Sequence, residues 1–396
     1  MKIAFIYRDK RIKTGAGYIN GLISEKLKER GVEVVHFYPK MKLFDAPTRM
    51  KGLNNILFFF SLLEHRNRAL ACDIIQGTTY TPIAFLPFST PIITHFGSTN
   101  HGFMNATPYV NEIDSELRQI WHELKRDGVI NELNLKTRRP LKDISDIEKL
   151  SAKRSSAVIA TSEIVKKDLE AVGVRPEKIK VIHNAIEDFW FEGEEVREES
   201  LPGIVYLGRI GEDVFTFKLK GLDRAIKIYR AFPDVPKLSI IMTANKEIGP
   251  WMRSKIPNHT VSTNLYKPEI KQKLSNLKGS IIIITSRYEG FCLSMIEGMS
   301  QGLIPVVFPV GVAPEIIRSG ENGYLVNSTK EMTEAIRLIL SDEELRKKLS
   351  SNAIKTAAEF SSDKMVDQLI SVYSEIISQK PNKYEKRINK NNGKRI

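Results

Sequence analysis

The stretch "IIIITSRYEGFCLSMIEGMSQGLIPVV", residues 281–307, decides how the chain reads. Its first four isoleucines (281–284) and the run "IPVV" (304–307) are short, β-branched and bounded by turn residues. Such runs suit strands that are buried on both faces. Between them lies a helix at about 291–302, so the unit is strand, helix, strand. Glu289 and Gly290 occupy the strand-to-helix turn, and Glu297 follows Glu289 after seven intervening residues. With Phe291 opening the helix, Glu297 would stand about two turns inside it, roughly 9 Å along the axis. A buried carboxylate is tolerated only when it is hydrogen-bonded. Two acids here call for a polyhydroxylated partner, unless Glu297 is an ordinary surface residue near the cap.

The same alternation extends outward in both directions. "KIAFIY" (2–7) reads as a strand, "YINGLISEKLKERG" (18–31) as a helix closed by Gly31, and "VEVVHFY" (32–38) as a strand. Further strands are "DIIQ" (73–76), "PIITH" (91–95), "AVIAT" (157–161) and "IKVIH" (179–183). Ser162 caps the helix between the last two, and Gly173 ends it. Residues 188–202, "DFWFEGEEVREESLP", are acidic and aperiodic and read as a linker. Strands then resume at 203–208, 237–243, 280–285 and 304–309, with helices at 221–232 and 267–277. The region 104–150 reads as helices and long loops, and three amphipathic helices close the chain. The expected fold class is α/β, with two Rossmann-like halves of parallel sheet facing a central cleft. Its expected parts are 1–187, a linker at 188–202, 203–362, and a basic tail at 379–396.

Composition sets outer limits. The chain has 396 residues, 42% hydrophobic and 27% charged, which suits two globular domains. Two cysteines, Cys72 and Cys292, are too few for a disulfide framework and fit a reducing cytosol. The opening "MKIAFIYRDK" reads as a strand, not a secretory leader. The longest apolar run, "ILFFFSLL" (56–63), falls short of the roughly 20 residues that a membrane span needs. It reads as a buried helix. Flanked by Arg49, Lys51, Arg66 and Arg68, it also permits peripheral contact with an anionic membrane face. Of the net charge of +13, +6 sits in residues 379–396, a polar segment expected to be disordered or to tether the chain electrostatically. No recognised binding module accompanies the charge, so nucleic acid is not an expected partner.

Ligands of open α/β sheets bind at the carboxyl ends of strands. Gly15, Gly17, His95, Thr161, Asn184, Arg209 and Glu289 end or follow strands, and Lys220 would add a second positive charge to Arg209. Two cations beside free helix N–H groups suit a diphosphate. "TGAGYING" (14–21) has a spacing that hints at a dinucleotide fold. Seven residues separate its strand from the first glycine, and no acid ends the second strand, so the fingerprint is incomplete. By itself His95, at the end of an apolar strand, is an ordinary structural histidine, and His101 in "GSTNHGF" is its rival.

Taken together, "SRYEGFCLSMIEGMSQGLIPVV" (286–307) resembles the signature of glycosyltransferase family 4, the retaining group 1 enzymes with the GT-B fold. "YLGRI" with "KLKGLDRAI" resembles the family's donor loop. "SSAVIATSEIVKKDLEAVGVRPEKIKVIHNAIE" resembles the end of its N-terminal domain, and "GVAPEIIRSGENGYLV" its closing pattern. The resemblance is strong over 151–378, moderate over 1–40 and weak over 41–150. It implies a metal-independent retaining hexosyltransferase with no cofactor, a nucleotide-sugar donor, and a glycan, lipid-linked or small-molecule acceptor. On that reading Arg209 and Lys220 hold the diphosphate. Glu289 grips the donor sugar with the backbone of Gly290, Phe291 and Cys292, and Leu293 borders it. Glu297 takes the ribose, and His95, Asn184, Gly15 and Gly17 line the donor. The final helix, about 363–378, packs back on the N-terminal domain. The rival readings are an epimerase or a glycan phosphorylase on the same fold, or a non-catalytic nucleotide- or glycan-binding protein. Cys292 departs from the family's glycine, and Ala185 stands where Asn-Gly is common.

Overall fold

The computed structural model describes residues 1–8, 15–40, 51–86, 89–193 and 202–379. The basic tail beyond Gln379, Arg49, and residues 194–201 of the expected linker lie outside the described residues.

Two six-stranded sheets are present among the described residues, and every strand pair is parallel. The first comprises β1 (Lys2–Ile6), β2 (Glu33–Phe37), β3 (Ile74–Thr78), β4 (Ile92–Phe96), β5 (Ala157–Ala160) and β6 (Ile179–Val181), in the order β2-β1-β3-β4-β5-β6. The second comprises β7 (Ile204–Arg209), β8 (Lys237–Met242), β9 (His259–Thr263), β10 (Ile281–Ile284), β11 (Ile304–Val307) and β12 (Tyr324–Leu325), in the order β12-β11-β10-β7-β8-β9. All four isoleucines of β10 are buried, as helices on both faces of a parallel sheet require.

Each sheet has a switch point where successive crossovers depart in opposite directions. In the second sheet it lies between β7 and β10, so Arg209 and the turn after Ile284 leave neighbouring strand ends. In the first it lies between β1 and β3, with β4 next in line.

The structure departs from the sequence reading in several places. Strands β9 and β12 and helix Ile248–Lys255 have no counterpart in it. β9, "HTVST", is an edge strand with half-exposed polar β-branched residues, and β12 has only two residues. Neither carries the apolar run that marks a central strand. The region between Arg209 and Lys220 holds a short helix, Val214–Leu219, capped by Asp213. The expected linker is not loose at its start: Asp188–Phe191 is a 3-10 turn, and Trp190 is buried in the second core. The apolar helix Lys51–Leu63 is two-sided, burying Phe58 and Leu62 while Phe60 remains 64% exposed.

Two elements tie the halves together. Helix Ser362–Ser378 lays Met365, Val366, Leu369, Val372 and Tyr373 against Ile3, Phe5 and Ile23 of the first sheet's layer. Tyr373 donates to Gln76 Oε1 at 2.6 Å there. Helix Ser115–Arg126, which precedes β5 in the chain, buries Leu117, Ile120, Trp121 and Leu124 in the core of the second sheet. Trp121 Nε1 donates to Asp223 Oδ2 at 3.1 Å, and Arg230 makes two 2.9 Å bonds to Glu123.

Candidate active site

At the second switch point the chain after β10 passes through Thr285 to Cys292 before helix Leu293–Ser300 begins. Glu289 projects from this turn. Its Oε1 accepts from Lys220 Nζ at 2.5 Å and from Ser286 Oγ at 2.7 Å. Lys220 terminates helix Val214–Leu219, and the next residue, Gly221, has φ +61°. A Cβ on Gly221 would lie 1.9 Å from Thr285 O, so only glycine lets the Lys220 loop press on the end of β10. Thr285 Oγ1 donates to Lys220 O and Arg287 N to Leu219 O, which fixes that contact. Arg209, on the neighbouring strand end, is exposed and has no ion-pair partner among the described residues.

The turn also meets the first domain. Gly290 O accepts from Ser162 Oγ at 2.6 Å, and a Cβ at Gly290 would sit 1.7 Å from Gly97 O. Tyr288 OH donates to Asp168 Oδ2 at 2.6 Å, and Thr99 Oγ1 donates to the same oxygen at 2.8 Å. Gly97 is two residues past His95, so the end of β4 is brought against the Glu289 turn. His95 is buried, its Nε2 has no hydrogen-bond partner among the described residues, and burial lowers its pKa to about 4. The imidazole is therefore neutral at physiological pH. Its ring C–H resonances are expected not to titrate between about pH 5.5 and 8. An NMR midpoint near the usual histidine value would show that the ring reaches water.

Cys292 has φ +86°, a left-handed conformation uncommon for a residue with a side chain. That geometry is the physical reason a glycine suits the position; nothing in the structure explains the cysteine that replaces it. The N–H groups of Gly290, Phe291 and Cys292 have no acceptor among the described residues. Burial pushes the Cys292 thiol up to about 12 and raises that of Cys72. The thiolate is the nucleophile, so neither cysteine of the native chain is expected to react with a disulfide reagent at pH 8. Both should react after denaturation; rapid native labelling would contradict their burial.

Glu297 lies one turn inside helix Leu293–Ser300, not two, because the helix starts at Leu293 rather than Phe291. It is buried, so the surface reading of this residue is overturned. Lys267 Nζ meets Glu297 Oε1 at 2.9 Å and Glu187 Oε1 at 2.6 Å. Burial raises the Glu297 carboxyl, with Lys267 opposing. Lys267 also sits 4.6 Å from the centroid of Tyr18, so the first helix of the N-terminal half faces this end of the site.

A family model described as "Glycosyl transferases group 1" matches residues 202–356, and one described as "Glycosyltransferase Family 4" matches residues 15–188. The chain is a GT-B glycosyltransferase related to these families. This glycosyltransferase is 33% identical over 131 residues to an uncharacterized glycosyltransferase of Methanocaldococcus jannaschii. That match covers 31% of this chain and 37% of the relative, a little over a third of its length. Sucrose-phosphate synthase from Thermosynechococcus elongatus superposes with a TM-score of 0.73 at 15% identity, over 96% of this chain and 99% of that one. HepE of Anabaena in complex with UDP-glucose superposes at 0.65 with 17% identity, over 95% and 100%. Identities this low carry the fold and nothing finer.

In the glycosyltransferase, Glu289 and Lys220 meet directly, Gly290 follows Glu289 in the turn, and Arg209 leaves the adjacent strand. Phe291 is buried against His183 and Phe360, and Leu293 packs against both cores. Gly15 and Gly17 open helix Gly15–Glu29 rather than standing in a loop before it. Asn184 is buried, its Oδ1 has no partner among the described residues, and no hydrogen bond joins it to Glu289. His101 bonds Asn105 on helix Asn100–Ala106. Thr161 and Ser162 do more than cap: both hydroxyls reach Gly290 O, Thr161 at 3.4 Å. Sequence reasoning missed Lys267, Ser286 and Tyr288. Lys267 in "YKPEI" and Tyr288 beside Glu289 carry no spacing signal, and Ser286 is marked only by its position three residues before the acid. Among the described residues no group of three or more His, Cys, Asp or Glu could hold a metal ion, and no helix is long and apolar enough to cross a membrane.

Proposed function

We propose that the enzyme moves a sugar from a nucleotide-sugar onto a hydroxyl of a glycan, lipid-linked or small-molecule acceptor, with retention at the anomeric carbon and without a metal ion. The observation that carries this is the Lys220–Glu289 pair at the switch point, beside the Arg209 guanidinium and turn N–H groups that have no partner among the described residues. Lys220 and Arg209 take the diphosphate, which supplies the anionic partner that Arg209 lacks among the described residues. Glu289 accepts from hydroxyls of the donor sugar, and neutral His95 offers Nε2 to the same sugar. Glu297 and Lys267 take the ribose hydroxyls. The acceptor oxygen forms its bond to the anomeric carbon on the face from which the phosphate departs. The phosphate leaves with the bonding electron pair and takes the acceptor proton. Preorganised positive charge on the leaving group is the protein's main contribution to rate. The two buried thiols fit a reducing cytoplasm.

A nucleotide-release screen over common nucleotide-sugars, with water and candidate acceptors, tests the reading. One donor is expected to turn over, to do so in a chelator, and to give a product with the donor's anomeric configuration. Inversion would sink the retaining mechanism. Loss of activity in the chelator, restored by a divalent ion, would sink the metal-free one.

A further inference from the structure

A cleft of about 690 Å³ opens beside the donor clamp, and Arg209, Lys220, Glu289 and Glu297 are not among its lining residues. One wall is the segment from Met104 to Tyr109 with Asp114; the other is made by the ends of β10 and β11 with Arg224 and Asn327. Ser286 belongs to both places. It lines the cleft while its hydroxyl donates to Glu289 Oε1 at 2.7 Å, so the cleft starts one hydrogen bond from that carboxylate.

The chemistry of the lining favours a neutral ligand. Arg138, Arg224 and Arg287 face Glu112 and Asp114, and Arg287 is already held by both oxygens of buried Asp223. Arg138 spends both Nη atoms on the carbonyls of Met104 and Thr107, and its Nε, which has no acceptor among the described residues, is buried away from the cleft's solvent. No cluster of open cations is left for a phosphate. Unused neutral groups remain instead. Asn105 uses its Nδ2 on His101 and keeps its Oδ1, and the exposed Asn327 side chain has no described partner. Arg224 makes only a 3.4 Å contact to Thr285 O and lies over the Phe308 ring, without a carboxylate. Tyr109 is 41% exposed, with the Arg138 guanidinium 4.1 Å from its ring centroid. Amides and a guanidinium pair with hydroxyls, and an aromatic ring takes an apolar face. A volume in the roughly 300–1,000 Å³ range of ligand pockets exceeds what one hexose fills.

We propose that this cleft binds a neutral oligosaccharide, holding the units behind the acceptor hydroxyl that is presented past Ser286 to the donor sugar. The proposal rests on the glycosyl-transfer reading of the Glu289 turn and adds the acceptor class to it.

Binding of the labelled full chain to printed neutral and acidic oligosaccharides, followed by titration with the best neutral trisaccharide, tests this. Neutral trisaccharides are expected to bind better than their monosaccharides. The combined variant Asn105→Ala, Tyr109→Ala, Asn327→Ala should weaken binding at least tenfold while UDP, GDP and ADP titrate as on the wild type. Asn327→Ala alone, a change at an exposed side chain, should give part of the loss if the combined variant does not fold. No binding of neutral chains, a preference for acidic ones, or unchanged affinity in the folded variants would overturn the proposal. Nucleotide release from a nucleotide-sugar in water is read separately. Its absence would count against glycosyl transfer, and it says nothing of the cleft.

Discussion

Lys220→Ala is expected to lower turnover by about 100- to 1,000-fold, the loss seen when one preorganised stabiliser of developing charge is removed. Lys220 is the only cation in hydrogen-bonding contact with Glu289 among the described residues, so two consequences combine. On the proposed mechanism the leaving diphosphate loses a positive charge, and Glu289 is left with Ser286 alone as a donor among the described residues. Arg209→Ala should also reduce turnover, acting on the phosphate without disturbing Glu289, because Arg209 has no ion-pair partner to abandon. Nucleotide release at saturating donor, with circular dichroism to confirm folding, is the measurement. Wild-type rates in both variants would remove the diphosphate role from these residues.

Gly290→Ala should reduce kcat by about 100-fold, the size of effect that a misplacement near 1 Å produces. The added Cβ would stand 1.7 Å from Gly97 O and 2.9 Å from Ser98 Cα. Both are backbone atoms, so no side chain can rotate away, and the domains must separate at this point. Separation pulls against the Ser162–Gly290 and Tyr288–Asp168 hydrogen bonds and carries Glu289 away from the end of β4. Small-angle scattering should show a larger radius for the variant with secondary structure unchanged. A variant with wild-type kcat and radius would show that the Gly97 contact does not set the working geometry.

The two variants differ in what the sequence reveals about them. Glu289 and Arg209 are legible because each ends or follows a strand, and strand ends converge in any parallel sheet, whereas Lys220 ends a helix and is legible only through the resemblance of "KLKGLDRAI" to a donor loop. Gly290 is legible only as a place where backbone comes close. Its neighbour is Gly97, 193 residues away in the chain, which no local pattern discloses. Lys267 is invisible for the same reason. Its helix is placed by the sheet, and only then does its ammonium reach Glu297 and Glu187.

The helix of residues 115–126 shows the limit most clearly. Its apolar stripe of Leu117, Ile120, Trp121 and Leu124 states that one face is buried. It does not state in which core, and the order of the chain points to the first domain. The helix joins the second core, where Trp121 finds Asp223 and Glu123 finds Arg230.

The sequence by itself determined two parallel α/β sheets and the residues that end their strands, because periodicity and β-branched runs are local properties of the chain. Only the tertiary structure decided which glycine touches which backbone, which lysine neutralises Glu297, and that a cleft adjoins Ser286. Those are contacts between distant segments, fixed by how the two cores pack against one another.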